Sequence, residues 1–167
     1  IREALSITHG QFGSIYASAT LCSSLLLIWV GKKIDDVNIF KFAFFVTILL
    51  SFACFFFSKI TSVFLLFIAI FLMRFSGQGM MSHTASTTIS RYFTRTRGRA
   101  LSISWFGLSS AEFIMPVLMV YLLTFIDWQN LWLIFSITVL IVLPIASFLL
   151  IKNLNLNSRE SNDENIE

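Results

Sequence analysis

Five apolar runs, each long enough to cross a bilayer, set the limits on what this chain can fold into. They cover residues 11–30, 39–58, 62–82, 101–126 and 129–151. A hydrocarbon core about 30 Å thick takes about 20 helical residues to span. Transmembrane barrel strands are about half that length and alternate in polarity, and these runs do not alternate. The sequence therefore predicts an all-α, polytopic transmembrane helix bundle. Composition agrees: 56% of residues are hydrophobic and only 13% charged, more apolar surface than a water-soluble domain of this size needs.

Two charges interrupt the interiors of these runs, Arg74 and Glu112. An ionisable residue at mid-bilayer costs at least about 2.5–3.5 kcal/mol by insertion scales, so its presence points to a role. Each lies about midway along its run, on spans consecutive in the chain, so the two fall at similar depth. At 100° per residue, Arg74 shares a helix face with Gln78, Met81 and Ala85, and Glu112 shares one with Trp105, Ser109 and Pro116. Lipid leaves both charges without partners, so both faces are expected to point into the bundle. Arg74 then binds an anionic group of a substrate or sets the proton affinity of Glu112. The competing reading is an intramembrane ion pair that fixes helix registry.

Loop charges give an orientation. Alternating the loops places Lys32, Lys33, Lys41, Arg91, Arg95, Arg97, Arg99, Lys152 and Arg159 on one side, against Arg2 and Lys59 on the other. The positive-inside rule makes the first side cytoplasmic, with residue 1 outside. Trp29 and Trp105 then fall near the inner interface, and Trp128 and Trp132 near the outer one, as interface anchors. Residues 152–167 lack an apolar period and read as a disordered cytoplasmic segment.

Several segments, in order, are similar to the first half of major facilitator superfamily transporters. Gly31-Lys32-Lys33-Ile34-Asp35 resembles that family's helix 2–3 loop, in which Gly and Asp stand at this spacing; Asp36 and Asn38 depart from its usual basic residue and second Gly. Arg74 followed by Gly77-Gln78-Gly79 resembles the helix-4 arginine and its glycine-rich continuation. Tyr92-Phe93 and then Arg97-Gly98-Arg99-Ala100 resemble the basic approach to helix 5, and Asp127-Trp128-Gln129 the start of helix 6. The Gly-Pro pattern of the family's antiporters in helix 5 is not met. The resemblance maps the chain onto helices 2–6. It implies a partial N-terminal transmembrane domain over residues 1–151, with a first helix and a C-terminal half of the same protein as missing partners. The absence of an initial Met and the loop-like Ile1–Gly10 lead to the same expectation of a fragment.

The implied function is secondary active transport of a small solute by alternating access in the plasma membrane. An organic anion is the expected substrate class and a proton the candidate coupling ion. Arg74, Gln78 and Glu112 are the expected substrate or proton pathway, and Gly31, Asp35 and Arg97 the cytoplasmic gating loop. The alternative is a non-transporting receptor or assembly subunit stapled by an Arg74–Glu112 ion pair. There is no P-loop, HExxH, GxSxG or Cys/His cluster, so the expectation is no enzyme, no cofactor and no metal. Four arginines in one short loop suit anionic lipid better than nucleic acid. Tyr16, Thr20 and Ser23 form a hydroxyl stripe suited to interhelical packing or a wet cavity. Pro116 and Pro144 each remove a backbone donor in mid-span. His83 is placed near the inner end of its span as a helix-end residue.

Overall fold

The computed structural model describes residues 2, 4–32, 37–93 and 95–163, with side chains through Leu149. These residues are helical with short connections, and no strand occurs among them. Helix α1 runs His9–Gly31, α2 Ile39–Ser58, α3 Val63–Met73, α4 Ser82–Tyr92, α5 Arg97–Leu122 and α6 Trp128–Asp163. A π-helical segment, Arg74–Met81, joins α3 to α4, so Val63–Tyr92 is one continuous rod of 30 residues. Five helices are long and apolar enough to cross a membrane.

Local chemistry places the starts. Thr8 and Gln11 form a reciprocal capping box at α1, Asn38 caps α2 through the Phe40 amide, and Ser62 caps α3 through the Leu65 amide. Each side chain satisfies an amide that the first helical turn leaves unpaired. The third span continues ten residues past the expected end at 82. Its added part, residues 83–92, is polar, but Thr84 and Thr88 donate their hydroxyls to the Met80 and Thr84 carbonyls, so their polarity is met within the helix. The arginine-bearing connection to the next span contracts accordingly, and Arg97 and Arg99 fall in the first turn of α5. Helix α6 also passes residue 152, where the sequence predicts an irregular tail. Its apolar span is Trp128–Leu149, and the polar remainder prolongs a hydrogen-bond ladder already nucleated.

The most extensive contact is between α2 and α6, and α1 and α2 both pack along the rod formed by α3 and the π segment. One core cluster joins Ala19, Phe57, Ile60, Leu66, Ala69 and Ile70, with Trp128 and Trp132 against it. A second joins Phe42, Val46, Phe75 and Met80. Helix α5 is different: it meets the rest chiefly through α4 and has no buried residue. Phe113 is 81% and Val117 70% exposed. In water such a helix would be untenable, whereas lipid tails satisfy these side chains as well as protein does.

Candidate functional site

The sequence of the π segment, RFSGQGMM, explains both its geometry and its position. Gly77 and Gly79 weaken the preference for a tight α-turn, and their bareness admits neighbours. A Cβ on Gly79 would lie 3.2 Å from a Leu27 methyl of α1, and one on Gly77 3.3 Å from a Leu50 methyl of α2. Bonding from i to i+5 widens the turn, so that residues four apart come nearly into line. The side chains presented to the interior are accordingly Arg74, Gln78 and Ser82. This corrects the wheel drawn at 100° per residue, which continues from Gln78 to Met81 and Ala85. The widened turn shifts the register by one residue after Gln78.

A cavity of about 500 Å³ lies beside this face. Arg74, Gln78 and Glu112 all line it, together with Tyr16 of α1, Phe57 of α2, Leu108 of α5 and Trp132 of α6. Depth accounts for the meeting of the charges. Arg74 is eleven residues from Val63, and Glu112 ten from Leu122. At 1.5 Å per residue both are about 15–17 Å from the same end of the bundle.

The two charges share the cavity without forming an ion pair. No Arg74–Glu112 contact within 4.0 Å exists among the described residues. The Arg74 guanidinium instead lies over the Tyr16 ring, 4.3 Å from its centroid. An aromatic face attracts a cation without neutralising it. The staple expected under the alternative reading is therefore not formed. The stacked arginine is held on α1, while Glu112 stands on the loosely packed α5.

Behind Arg74 and Gln78 is a second hollow of about 230 Å³, lined by Thr20, Ser23 and Ser24 of α1. All three hydroxyls donate to carbonyls of α1 itself, Thr20 to Tyr16 and both serines to Thr20, at 2.7–2.9 Å. Their oxygens remain available as acceptors only. The hydroxyl stripe thus flanks the arginine as well as packing the helix.

Of the expected gating residues, Gly31 is buried at the end of α1 and Arg97 is exposed at the start of α5. Asp35 lies outside the described residues. Gly31 is covered by His83: a Cβ there would come within 2.9 Å of the imidazole Cδ2. His83 also bonds the Thr87 hydroxyl through Nδ1 at 3.2 Å and lines a separate hollow with Lys32 and Ser24. It is an interhelix contact and not merely a helix-end residue.

Sequence reasoning missed two parts of the site. Tyr16 was legible as polar but not as the seat of Arg74, because that depends on how α1 crosses the π segment. Trp132, expected at the outer interface, packs against Phe57 with ring centroids 4.5 Å apart and planes tilted by 44°, and forms part of the cavity wall. The arrangement can grip a carboxylate through Arg74 and Gln78 and accept a donor or a proton at Glu112. No cluster of three or more His, Cys, Asp or Glu side chains suited to a metal occurs among the described residues.

The family model described as Major Facilitator Superfamily matches residues 1–165. No curated protein and no solved structure matches the chain.

Proposed function

The chain belongs to the Major Facilitator Superfamily, and on that premise we propose that it serves secondary active transport of a small carboxylate-bearing solute by alternating access. Membership makes it an integral, multi-pass membrane protein of a transporter family. The finer reading is carried by one observation: Arg74, Gln78 and Glu112, drawn from two helices, line one cavity near mid-membrane. In this reading Arg74 anchors the carboxylate, with Gln78 beside it as an amide partner. Glu112 is the counter-charge that each cycle must neutralise, by a proton or by a cationic group on the solute. The five spans serve as helices 2–6 of the first half of the transporter, facing a second half across the site. The side rich in Lys and Arg faces the cytoplasm, and the plasma membrane is its home.

Accessibility of the site tests this reading. In the full-length protein, a cysteine at Gln78 should react with a membrane-impermeant thiol reagent from either face, the proportion shifting when substrate is supplied. Reaction from one face alone under every condition would exclude alternating access at this cavity.

A further inference from the structure

The unpaired state of Arg74 and Glu112 reaches beyond transport as such to the chemical class of what is carried. We infer that the solute is a small zwitterion, its carboxylate bound by Arg74 and its ammonium by Glu112. The inference rests on the transport reading above and assigns the role of Glu112 within it.

Both charges face the same cavity, and neither is used up by the other. Arg74 is braced on Tyr16, which holds its position while leaving its charge uncompensated. When such a cavity closes, each charge enters a medium of low dielectric and needs a partner there. A monoanion satisfies Arg74 and leaves Glu112 charged. A monocation does the reverse. A ligand with one charge of each sign satisfies both at once, with no change in protonation.

A monoanion taken up with a proton on Glu112 also balances the charge, so the surroundings of Glu112 decide between the two. The described lining residues include no other carboxylate and no histidine to relay a proton; the Tyr16 phenol is the only additional titratable group apart from Arg74. His83 lines a different hollow, next to Lys32. An ammonium is favoured in this cavity, because Phe12, Phe57 and Trp132 contribute aromatic rings to the same lining as Glu112. Aromatic faces stabilise cations but not a neutral protonated carboxyl. The volume, about 500 Å³, falls in the range of small-molecule sites.

The test measures ligand binding to the full-length protein in lipid nanodiscs by equilibrium dialysis. Three matched sets are used: phenylalanine with phenylpropanoate and phenethylamine, leucine with isocaproate and isoamylamine, and γ-aminobutyrate with butyrate and propylamine. Within each set the body is kept while the ammonium or the carboxylate is removed. At least one zwitterion should bind at least about ten-fold more tightly than both of its truncated partners, equally so between about pH 6 and 8. Glu112→Gln should reduce that zwitterion to the level of its acid, and Arg74→Gln to the level of its amine. Acids that bind as tightly as the zwitterions, and more tightly as pH falls, would overturn the inference in favour of a proton on Glu112 while leaving the transport reading intact. Absence of binding in all three sets would also overturn it, and accessibility at Gln78 then judges the transport reading separately. The wild-type series decides the matter even where a variant fails to fold.

Discussion

Ser51 on α2 and Ser136 on α6 exchange hydrogen bonds across the largest helix interface of the bundle. The Ser51 hydroxyl donates to the Ser136 carbonyl at 2.9 Å, and the Ser136 hydroxyl donates to the Ser51 carbonyl at 2.8 Å. Both side chains are buried. In lipid no apolar driving force separates helix–helix from helix–lipid contact, so small residues and reciprocal polar contacts of this kind decide which helices pair. The frame that carries α6, and with it Trp132, is fixed here.

Ser51→Ala should therefore lower stability by about 0.6 kcal/mol and by no more than about 1.7 kcal/mol, the mean and the maximum for interhelical hydrogen bonds in membranes. Ser136→Ala should act similarly. Unfolding midpoints of the purified protein in mild detergent measure this, and unchanged midpoints for both variants would show that the exchange contributes nothing.

Tyr16 gives a sharper test, because its ring and its hydroxyl can be separated. Tyr16→Phe keeps the face on which Arg74 rests, and should leave binding of the transported solute nearly intact. Tyr16→Leu removes it, and should weaken binding roughly two- to thirty-fold, as expected for a cation–π contact of about 0.5–2 kcal/mol. Equal loss in both variants would assign the effect to the phenol and not to the ring.

At the other end of α1, Gly31 leaves room for the His83 imidazole. Gly31→Ala should force the histidine aside and lower the yield of folded protein. His83→Ala on top of it should restore much of that yield, since it removes the obstructing ring. Size-exclusion profiles of single and double variants report this coupling, and a double variant no better than Gly31→Ala would place the glycine's importance elsewhere.

Orientation rests on the nine-to-two distribution of bases. On a background lacking Cys22 and Cys54, cysteines at Ser6 and Thr61 should label in sealed cells, and one at Thr96 only after permeabilisation. Labelling of position 96 in sealed cells would invert the topology.

The extent to which the sequence was legible follows from what each feature depends on. Span number and type rest on apolar length alone, and α2 begins and ends at the expected residues, Ile39 and Ser58. The shared depth of Arg74 and Glu112 follows from counting along two consecutive helices, and both do line one cavity. The continuation from Ser82 to Tyr92 was hidden, because a hydropathy argument stops at polar residues that bond back onto their own helix. The π segment was hidden too: no local pattern distinguishes its glycines from packing glycines, and the close approach of Leu27 and Leu50 to them follows from how α1 and α2 cross the segment. The competing reading, an Arg74–Glu112 pair, rests on proximity in depth alone, whereas Tyr16 arrives from a third helix and settles where Arg74 rests.

Arg74 and Glu112 themselves provide the last prediction. In an intramembrane ion pair, removal of one partner strands the other, and removal of both recovers the loss. Here no such pair exists among the described residues, and each charge meets its own surroundings. The effects of Arg74→Gln and Glu112→Gln on folding should thus be nearly additive, with a coupling below about 0.5 kcal/mol. Detergent unfolding of both single variants and the double variant closes this cycle. Transport by the full-length protein should be lost in the single variants and stay lost in the double one, because in the proposed function each charge acts on the solute and not on the other. A double variant that regained both stability and uptake would show that the pair forms in the membrane and that its role is architectural.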